Sequence, residues 1–183
     1  VTKKRILSLL LTLCMVIGLM PSTIFASGST KETAVEVPAE ALVIESGTYY
    51  GISKTWFAEN NLSKETMSLS VKIPDNVITI AKDGFIDSYT SEKKSKGAVT
   101  YNDNLGRYNI VNLDFSEASS LTAIGEQAAM RCPVEGVLDL SNTKVETIGK
   151  NAFKECTGIT GVVLPSTLKN IGSTSSGSVF YGC

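Results

Sequence analysis

"VETIGKNAFKEC" (Val145–Cys156) and "LKNIGSTSSGSVFYGC" (Leu168–Cys183) are two stretches near the end of this 183-residue chain that share one pattern. In each, an apolar residue is followed three positions later by an isoleucine and then by a glycine, and the stretch closes on a cysteine. The second stretch contains the additional residues "STSS" between Gly172 and Gly177. Because self-similarity at a regular spacing is typical of repeat proteins, this pattern decides how the whole chain is interpreted.

The same template occurs four times between residues 68 and 183. The isoleucine position is held by Ile80, Ile124, Ile148 and Ile171. The aromatic position is held by Phe85, Phe153 and Phe180, and by Ala129 in the second copy. A cysteine closes three of the copies, at Cys132, Cys156 and Cys183. We therefore delimit four repeat units, numbered 1 to 4, at about 68–88, 110–132, 133–156 and 157–183.

Each unit begins with two apolar residues separated by one other residue, which favours a brief strand paired with its equivalents in neighbouring units. The segment "KNAFKEC" is compatible with one or two helical turns that bury Phe153. We expect the glycine after each isoleucine to adopt a turn conformation that a Cβ would disfavour. Since no unit can bury its apolar face alone, the sequence predicts an α/β repeat solenoid with short parallel strands, short helical or 3-10 segments, and stacked isoleucines, aromatics and cysteines.

The three stacked cysteines have more than one interpretation. A metal site is disfavoured because the chain has no histidine and no closely spaced cysteine pair. Stacked strands would bring equivalent cysteines near disulfide range, but three cannot all pair. We interpret them as small buried hydrophobic residues.

Three stretches, "VVLPSTLKNIG…VFYGC", "VLDLSNTKVETIGKNAFKEC" and "VKIPDNVITIAKDGF", resemble the bacterial BspA-type leucine-rich repeats, which are related to repeats first noted in treponemes. The resemblance covers about Leu69 to Cys183. It implies a secreted or surface-exposed right-handed solenoid that binds other molecules, often in adhesion, and that has no common catalytic residues. Such proteins typically have more than four units, so we also expect this chain to be a fragment.

The N-terminus has the features of a secretory signal peptide over residues 1–26. Basic residues precede the apolar run Ile6–Met20, which is shorter than the ~20 residues of a membrane-spanning helix. We predict cleavage after Ala26, no membrane span afterwards, and a secreted or cell-surface location. Residues 27–40 are expected to form a flexible leader. Residues 41–67 are expected to form an N-terminal capping region, with strands in "LVIESGTYYGI" and a short helix capped by Ser53.

Composition narrows the function classes. Removal of residues 1–26 takes away three of the 17 basic residues and leaves 14 against 18 acidic ones, a net charge of −4, which does not favour nucleic-acid binding. Without histidine the chain cannot form a Ser-His-Asp or Cys-His hydrolase or an HExxH metalloprotease. We expect neither enzymatic activity nor a cofactor. Two functions stay open: a protein-binding or adhesion module for a cell-surface ligand, or a non-catalytic targeting or structural portion of a larger secreted protein.

The first candidate contact site is an inserted loop, residues 89–109, which lengthens the interval between Ile80 and Ile124. Insertions in repeat proteins often carry recognition. Tyr101 and Tyr108 are candidate anchors. Three lysines are candidates for steering acidic partners, namely Lys93, Lys94 and Lys96. The alternative is a hairpin extension whose charges are only solvated.

The second candidate contact site is the outer face of the predicted strands. If the apolar pair of each strand points inward, the residue between the two points outward, which places Lys72, Asp114, Asp139 and Val163 on one face. Asp114 and Asp139 would then be about 5 Å apart on neighbouring strands. Either Lys72 compensates this like-charge pair, or the pair forms a site for a basic side chain or a cation.

Overall fold

The computed structural model describes residues 33–62, 68–86, 91–98, 109–172 and 178–183, which fall within one unit, Glu32–Cys183. The predicted signal peptide, Tyr101 and Tyr108 lie outside the described residues. In the part of the chain that the structure describes, no helix has the length and apolar character needed to cross a membrane.

The N-terminal part alternates strands with short helical turns. It contains β1 (Val35–Val37), a 3-10 turn (Ala39–Ala41), β2 (Leu42–Glu45), β3 (Thr48–Ile52) and α1 (Lys54–Glu59). The remainder contains β4 (Leu69–Lys72), β5 (Thr79–Ile80), α2 (Ser91–Ser95), β6 (Ile110–Asp114), β7 (Ala123–Ile124), β8 (Gly136–Asp139), β9 (Thr147–Ile148), β10 (Ile159–Val163) and β11 (Asn170–Ile171). Each repeat unit therefore contributes one longer and one two-residue strand.

The two-residue strands form an uninterrupted parallel ladder from β5 through β7 and β9 to β11. In it, Ile80 lies opposite Ile124, Ile124 opposite Ile148, and Ile148 opposite Ile171. β3 extends the ladder with Tyr49 opposite Ile80, and β2 closes that edge by pairing antiparallel with β3. Equivalent positions of successive units are thus stacked in register.

The longer strands are divided between two parallel sheets. One sheet has the order β1-β4-β6 and the other consists of β8 and β10. In the described ranges β6 and β8 form no ladder, although the Glu135 N–H donates a hydrogen bond of 2.9 Å to the Val111 carbonyl. The face made by the longer strands is consequently interrupted between units 2 and 3.

The segments that follow β7 in unit 2 and β9 in unit 3 are turns, also in "KNAFKEC", where we expected helical turns. Two residues in each of these segments adopt left-handed backbone conformations, with φ of 56° and 63° at Gln127 and Arg131 and of 57° and 58° at Asn151 and Glu155. A left-handed residue ends a right-handed helix, which is why none forms there. The turns instead bond between units: the Ala129 N–H donates to the Ala152 carbonyl at 2.7 Å.

The glycine that follows each isoleucine has a different role from the one we expected. None of the three has a positive φ. A Cβ at Gly125 would lie 2.7 Å from the Lys82 nitrogen, at Gly149 2.5 Å from the Glu126 nitrogen, and at Gly172 2.4 Å from the Lys150 nitrogen. Glycine is required because the backbones of adjacent units nearly touch.

The core consists of the stacked template positions. Ile80, Ile148, Phe85 and Phe153 are inaccessible to solvent. Each such side chain stabilises the fold by about 1.5–3 kcal/mol relative to an exposed one. Because unit 2 has Ala129 in the aromatic position, the aromatic ladder is interrupted there. Phe85 instead packs against Tyr49 at 4.9 Å and against Phe115 at 6.4 Å between ring centroids.

The capping region has its predicted helix, and its N-cap is confirmed, since Ser53 Oγ accepts a hydrogen bond of 3.4 Å from the Trp56 N–H. The segment 27–40, expected to be a flexible leader, differs from that expectation where it is described. There β1 pairs in parallel with β4, placing Val37 opposite Val71, and Val37 is buried. The stretch "VEV" forms an additional strand because its two apolar residues, Val35 and Val37, lie on either side of Glu36 and point to the same side of the strand.

Candidate functional site

The outer face of the longer strands contains the residues that alternation predicted. Val71 and Leu138 are buried inward residues. Lys72 lies opposite Asp114 in the pairing of β4 with β6. Val163 lies opposite Asp139 in the pairing of β10 with β8. Two pairs of outward residues thus lie on either side of the interruption between β6 and β8.

At this interruption there is a groove of about 360 Å³. Its polar lining includes Asn112 and Asp114 from β6, Asp139 from β8, and Asn142 from the turn that follows β8. Val137 contributes an apolar wall. We call these five residues the acidic groove. The structure therefore brings Asp114 and Asp139 to one concave surface, as lining residues and not as directly paired neighbours.

Asp114 is held by its own turn and by Lys72. The Ser116 N–H donates to Asp114 Oδ1 at 2.8 Å, and Lys72 Nζ lies 3.7 Å from Asp114 Oδ2 and 3.1 Å from Glu117 Oε1. Partial burial acts to raise the pKa of Asp114, but the hydrogen bonds from Ser116 and the charge of Lys72 outweigh it, so the pKa is lowered overall. Asp114 is ionised and largely satisfied at neutral pH.

Asp139 has the same turn contact without the cation. The Ser141 N–H donates to Asp139 Oδ1 at 2.8 Å, and the hydrogen bonds from Ser141 lower the pKa of Asp139. Among the described residues Asp139 has no ion-pair partner, and no group of carboxylates or cysteines there could hold a metal ion. The like-charge pair expected across adjacent strands does not form, because β6 and β8 are not paired.

Val137 is the residue of this face that sequence reasoning missed. Its side chain is 60% exposed, more than any other large aliphatic residue in the described ranges, and Val163 is 42% exposed on the adjacent strand. The signal was present, since Val137 lies two positions before Asp139 and therefore points to the same side of β8. The prediction from alternation covers only the residue between the two inward positions of each strand.

The described part of the inserted loop packs against the capping region. The Lys54 N–H donates to the Gly97 carbonyl at 3.2 Å, and Ala98 is inaccessible. Lys93, predicted to face acidic partners, is 1% exposed, and its ammonium donates to the Ile86 carbonyl. This corrects the expectation for Lys93, whose position in α2 turns it toward the protein.

The other two lysines of the insertion differ from Lys93. Lys96 forms an ion pair with Glu45, and its ammonium lies 5.6 Å from the ring centroid of Tyr50. Lys94 is exposed. The insertion therefore attaches to the cap through Lys96 and to unit 1 through Lys93, and it leaves Lys94 on the surface.

The cysteines have a hydrogen-bonding role that the sequence did not indicate. The thiol of Cys132 donates to the Phe85 carbonyl at 3.3 Å, that of Cys156 to the Ala129 carbonyl at 3.0 Å, and that of Cys183 to the Phe153 carbonyl at 3.1 Å. In each case the acceptor belongs to the aromatic position of the preceding unit. Cys132, Cys156 and Cys183 are thiols, and Cys132 and Cys156 are buried.

Comparison with protein families agrees with this architecture. A family model described as "BspA type Leucine rich repeat region" matches residues 51–183 in six copies. The matched region begins earlier than our unit 1 and includes α1 and part of β3. Searches of the curated proteins and of the solved structures returned no significant match.

Proposed function

Because the chain belongs to the BspA-type leucine-rich repeat family, we propose that it is an extracellular binding module, secreted or attached to a cell surface, whose role is adhesion to a protein or cell-surface ligand. The observation that carries the proposal is the outer face of β8 and β10, where exposed Val137 lines the acidic groove and Val163 is exposed on the adjacent strand. No catalytic role is assigned to any residue.

In this proposal the units form a right-handed solenoid. The parallel, in-register pairing of units 1 to 4 supports such an arrangement, because each unit then repeats the same displacement. The longer strands would present their outward side chains to a partner in two strips, one on β1, β4 and β6 and the other on β8 and β10. Outward positions are not needed for stacking, so they are available for recognition.

The partner segment that fits this face has a basic side chain beside an apolar one. Asp139 has no cationic partner among the described residues, and Val137 offers an exposed apolar surface next to it. Since rim charges act mainly on the association rate, binding should weaken as the salt concentration rises.

The experiment is a quantitative pulldown of candidate surface proteins with the chain from Ser27 onward. The variant Val137→Lys/Asp139→Lys reverses the character of the groove and should lower retention of the bound partner at least about tenfold, as expected for a desolvated contact. Thr147→Lys, at an exposed position of β9, is the matched control and should retain the bound partner as the unchanged chain does. Equal retention by both variants would exclude this face.

The inserted loop is a second proposed contact, through Tyr101, Tyr108 and Lys94. Replacing residues 99–108 by a glycine-serine linker leaves the attachment through α2 in place and removes both tyrosines. Loss of the partner in this variant, with the groove intact, would assign recognition to the loop.

Secretion is tested separately. The proposal requires that the exported product begin at Ser27, which mass spectrometry of the secreted protein measures directly. Retention of residues 1–26 in the mature protein would contradict it.

A further inference from the structure

The acidic groove is bordered by two strand edges that face each other. In the described ranges β6 forms a ladder along one edge only, with β4, and β8 along one edge only, with β10. Residues of both strands line the groove between them. Since β4 and β10 flank these two strands, the open edges lie inside the stack of units. An open strand edge favours pairing with another extended segment.

The backbone of β8 presents its outward residues to this gap. The Gly136 N–H donates to the Gly158 carbonyl at 2.9 Å, on the side of β10. Successive N–H groups along a strand point to opposite edges, so those of Val137 and Asp139 point to the side of β6. The edge of β8 therefore combines main-chain groups with an exposed apolar side chain and a carboxylate.

A single hydrogen bond closes the gap where the two strands begin. The Glu135 N–H donates to the Val111 carbonyl at 2.9 Å. The residues that line the groove come after this bond in both strands, from Asn112 in β6 and from Val137 in β8. The groove of about 360 Å³ is near the lower end of the ~300–1,000 Å³ of ligand sites, so a segment of a few residues fits it.

The charges and acceptors around the groove favour an arginine in that segment. One ammonium, that of Lys72, stands against three carboxylates, those of Asp114, Glu117 and Asp139. Asn112 Nδ2 donates to a serine hydroxyl of β4 at 2.9 Å, which leaves the amide oxygen of Asn112 as an acceptor for a ligand. A guanidinium group has five N–H donors in one plane and can reach acceptors on both strands, whereas an ammonium group is a point charge.

We propose that an extended segment of the partner adds as a strand along the edge of β8 that faces the groove, with an arginine against Asp139 and an apolar residue against Val137. This inference rests on the proposed function, because it specifies how the partner occupies the acidic groove. Val137 and Asp139 are two positions apart, so the two residues of the segment that contact them are also two positions apart. Main-chain hydrogen bonds supply affinity, and the two side chains supply selectivity.

The experiment is an NMR titration of the isotope-labelled chain from Ser27 onward with synthetic peptides whose ends are blocked. The in-register peptide, Gly-Ser-Val-Thr-Arg-Thr-Val-Ser-Gly, has a valine two positions from its arginine on either side and therefore fits a strand of either direction. It should bind with a dissociation constant below about 1 mM and slow the hydrogen exchange of the Val137 and Asp139 N–H groups. The shifted peptide, Gly-Ser-Thr-Val-Arg-Val-Thr-Ser-Gly, has the same composition with both valines on the opposite side of the strand, and it should bind at least about tenfold more weakly.

Two protein variants and one further peptide test the role of charge. Asp139→Asn keeps an acceptor for the Ser141 N–H and removes the negative charge, so it should raise the dissociation constant of the in-register peptide at least about tenfold. Glu59→Gln is the matched control, since it removes the same charge at an exposed position of α1, and it should leave the dissociation constant unchanged. Lysine in place of the arginine should weaken binding at least about threefold.

Absence of saturable binding of the in-register peptide would overturn the proposal, and so would equal binding of the shifted peptide. N-acetylargininamide that binds as tightly as the in-register peptide would show an arginine pocket without an added strand, which also overturns it. These results do not depend on the adhesion partner. A pulldown that needs the groove, together with a peptide that does not bind, would leave the proposed function standing and remove the added strand.

Discussion

Gly149→Ala is the substitution that tests the stacking of the units most directly. A Cβ at Gly149 would lie 2.5 Å from the Glu126 nitrogen and 2.6 Å from the Gly125 carbonyl carbon, which are both backbone atoms of the preceding unit. Backbone atoms cannot rotate away as a side chain can. The two units must separate, which disturbs the ladder between β7 and β9 and the packing of the isoleucines on either side.

The magnitude follows from two opposing effects. Overpacking of a close contact destabilises by about 1–3 kcal/mol or somewhat more. Replacing glycine by alanine restricts the unfolded chain and stabilises by about 0.4–1 kcal/mol where the site is compatible. We therefore expect Gly149→Ala to lower the free energy of unfolding by about 1–2 kcal/mol, because the contact is with the rigid backbone of the preceding unit.

Two other glycines separate the possible causes. At Gly161 in β10 a Cβ would lie 3.6 Å from Val137 Cγ2, an ordinary contact, so alanine there should be neutral or stabilising. Gly136 has a φ of +79°, and a Cβ added there would meet no atom within 4 Å, so alanine should cost about 1 kcal/mol from backbone strain alone. Urea unfolding followed by circular dichroism measures all three. If Gly149→Ala were no less stable than Gly161→Ala, the close approach of the units would be refuted.

Three further predictions follow from buried or hydrogen-bonded groups. With the chain from Ser27 onward, an aromatic disulfide reagent at pH 8 should modify Cys183 rapidly, whereas Cys132 and Cys156 should react only after denaturation. Burial, with a smaller effect of Cys183, raises the pKa of Cys156 to about 12, so little of its reactive thiolate is present at pH 8. Tyr49→Phe should raise the free energy of unfolding by about 1 kcal/mol, because the buried hydroxyl has no hydrogen-bond partner among the described residues; destabilisation would show that it has one. Asp139→Ala should lower the free energy of unfolding at pH values above the ordinary carboxyl pKa of 3.8, because Ser141 favours only the ionised form of Asp139. The difference in stability between the two proteins should disappear as the pH falls through the lowered folded-state pKa. A constant difference down to pH 2 would contradict this.

The stacking of the units could be predicted because identical environments select identical residues. Ile124 and Ile148 have the same neighbours above and below, so the chain repeats them, and their spacing gives the register. The Gly149 position was also recognised, but its cause was not. A glycine selected for close approach and one selected for a left-handed turn look alike in a sequence, and only the contact with Glu126 distinguishes them.

The left-handed turns and the packing of the insertion could not be predicted in the same way. Gln127 and Arg131 adopt left-handed conformations although neither residue type favours them, because the hydrogen bonds between units outweigh the local preference. Lysine is rarely buried, so the sequence places Lys93 on the surface, and the bond of its ammonium to the Ile86 carbonyl occurs at no repeated position of the template. Contacts made only once along the chain are not visible in a repeat.

In the proposed function, recognition resides at outward positions of the units. The residue type at an inward position such as Ile148 is constrained by the equivalent residues of the two adjacent units, so it carries no information about a partner. The side chain at an outward position such as Val137 does not pack into that core, so its residue type is not constrained in this way. An exposed valine in that position contributes nothing to the stacking of its own unit. Its burial by a partner removes apolar surface from water and is therefore favourable. Since the ladder of longer strands is also interrupted beside Val137, between β6 and β8, the packing of the repeat constrains the chain least where the acidic groove lies. A ligand that contacts this face can thus change between related sequences without any change in the stacked core.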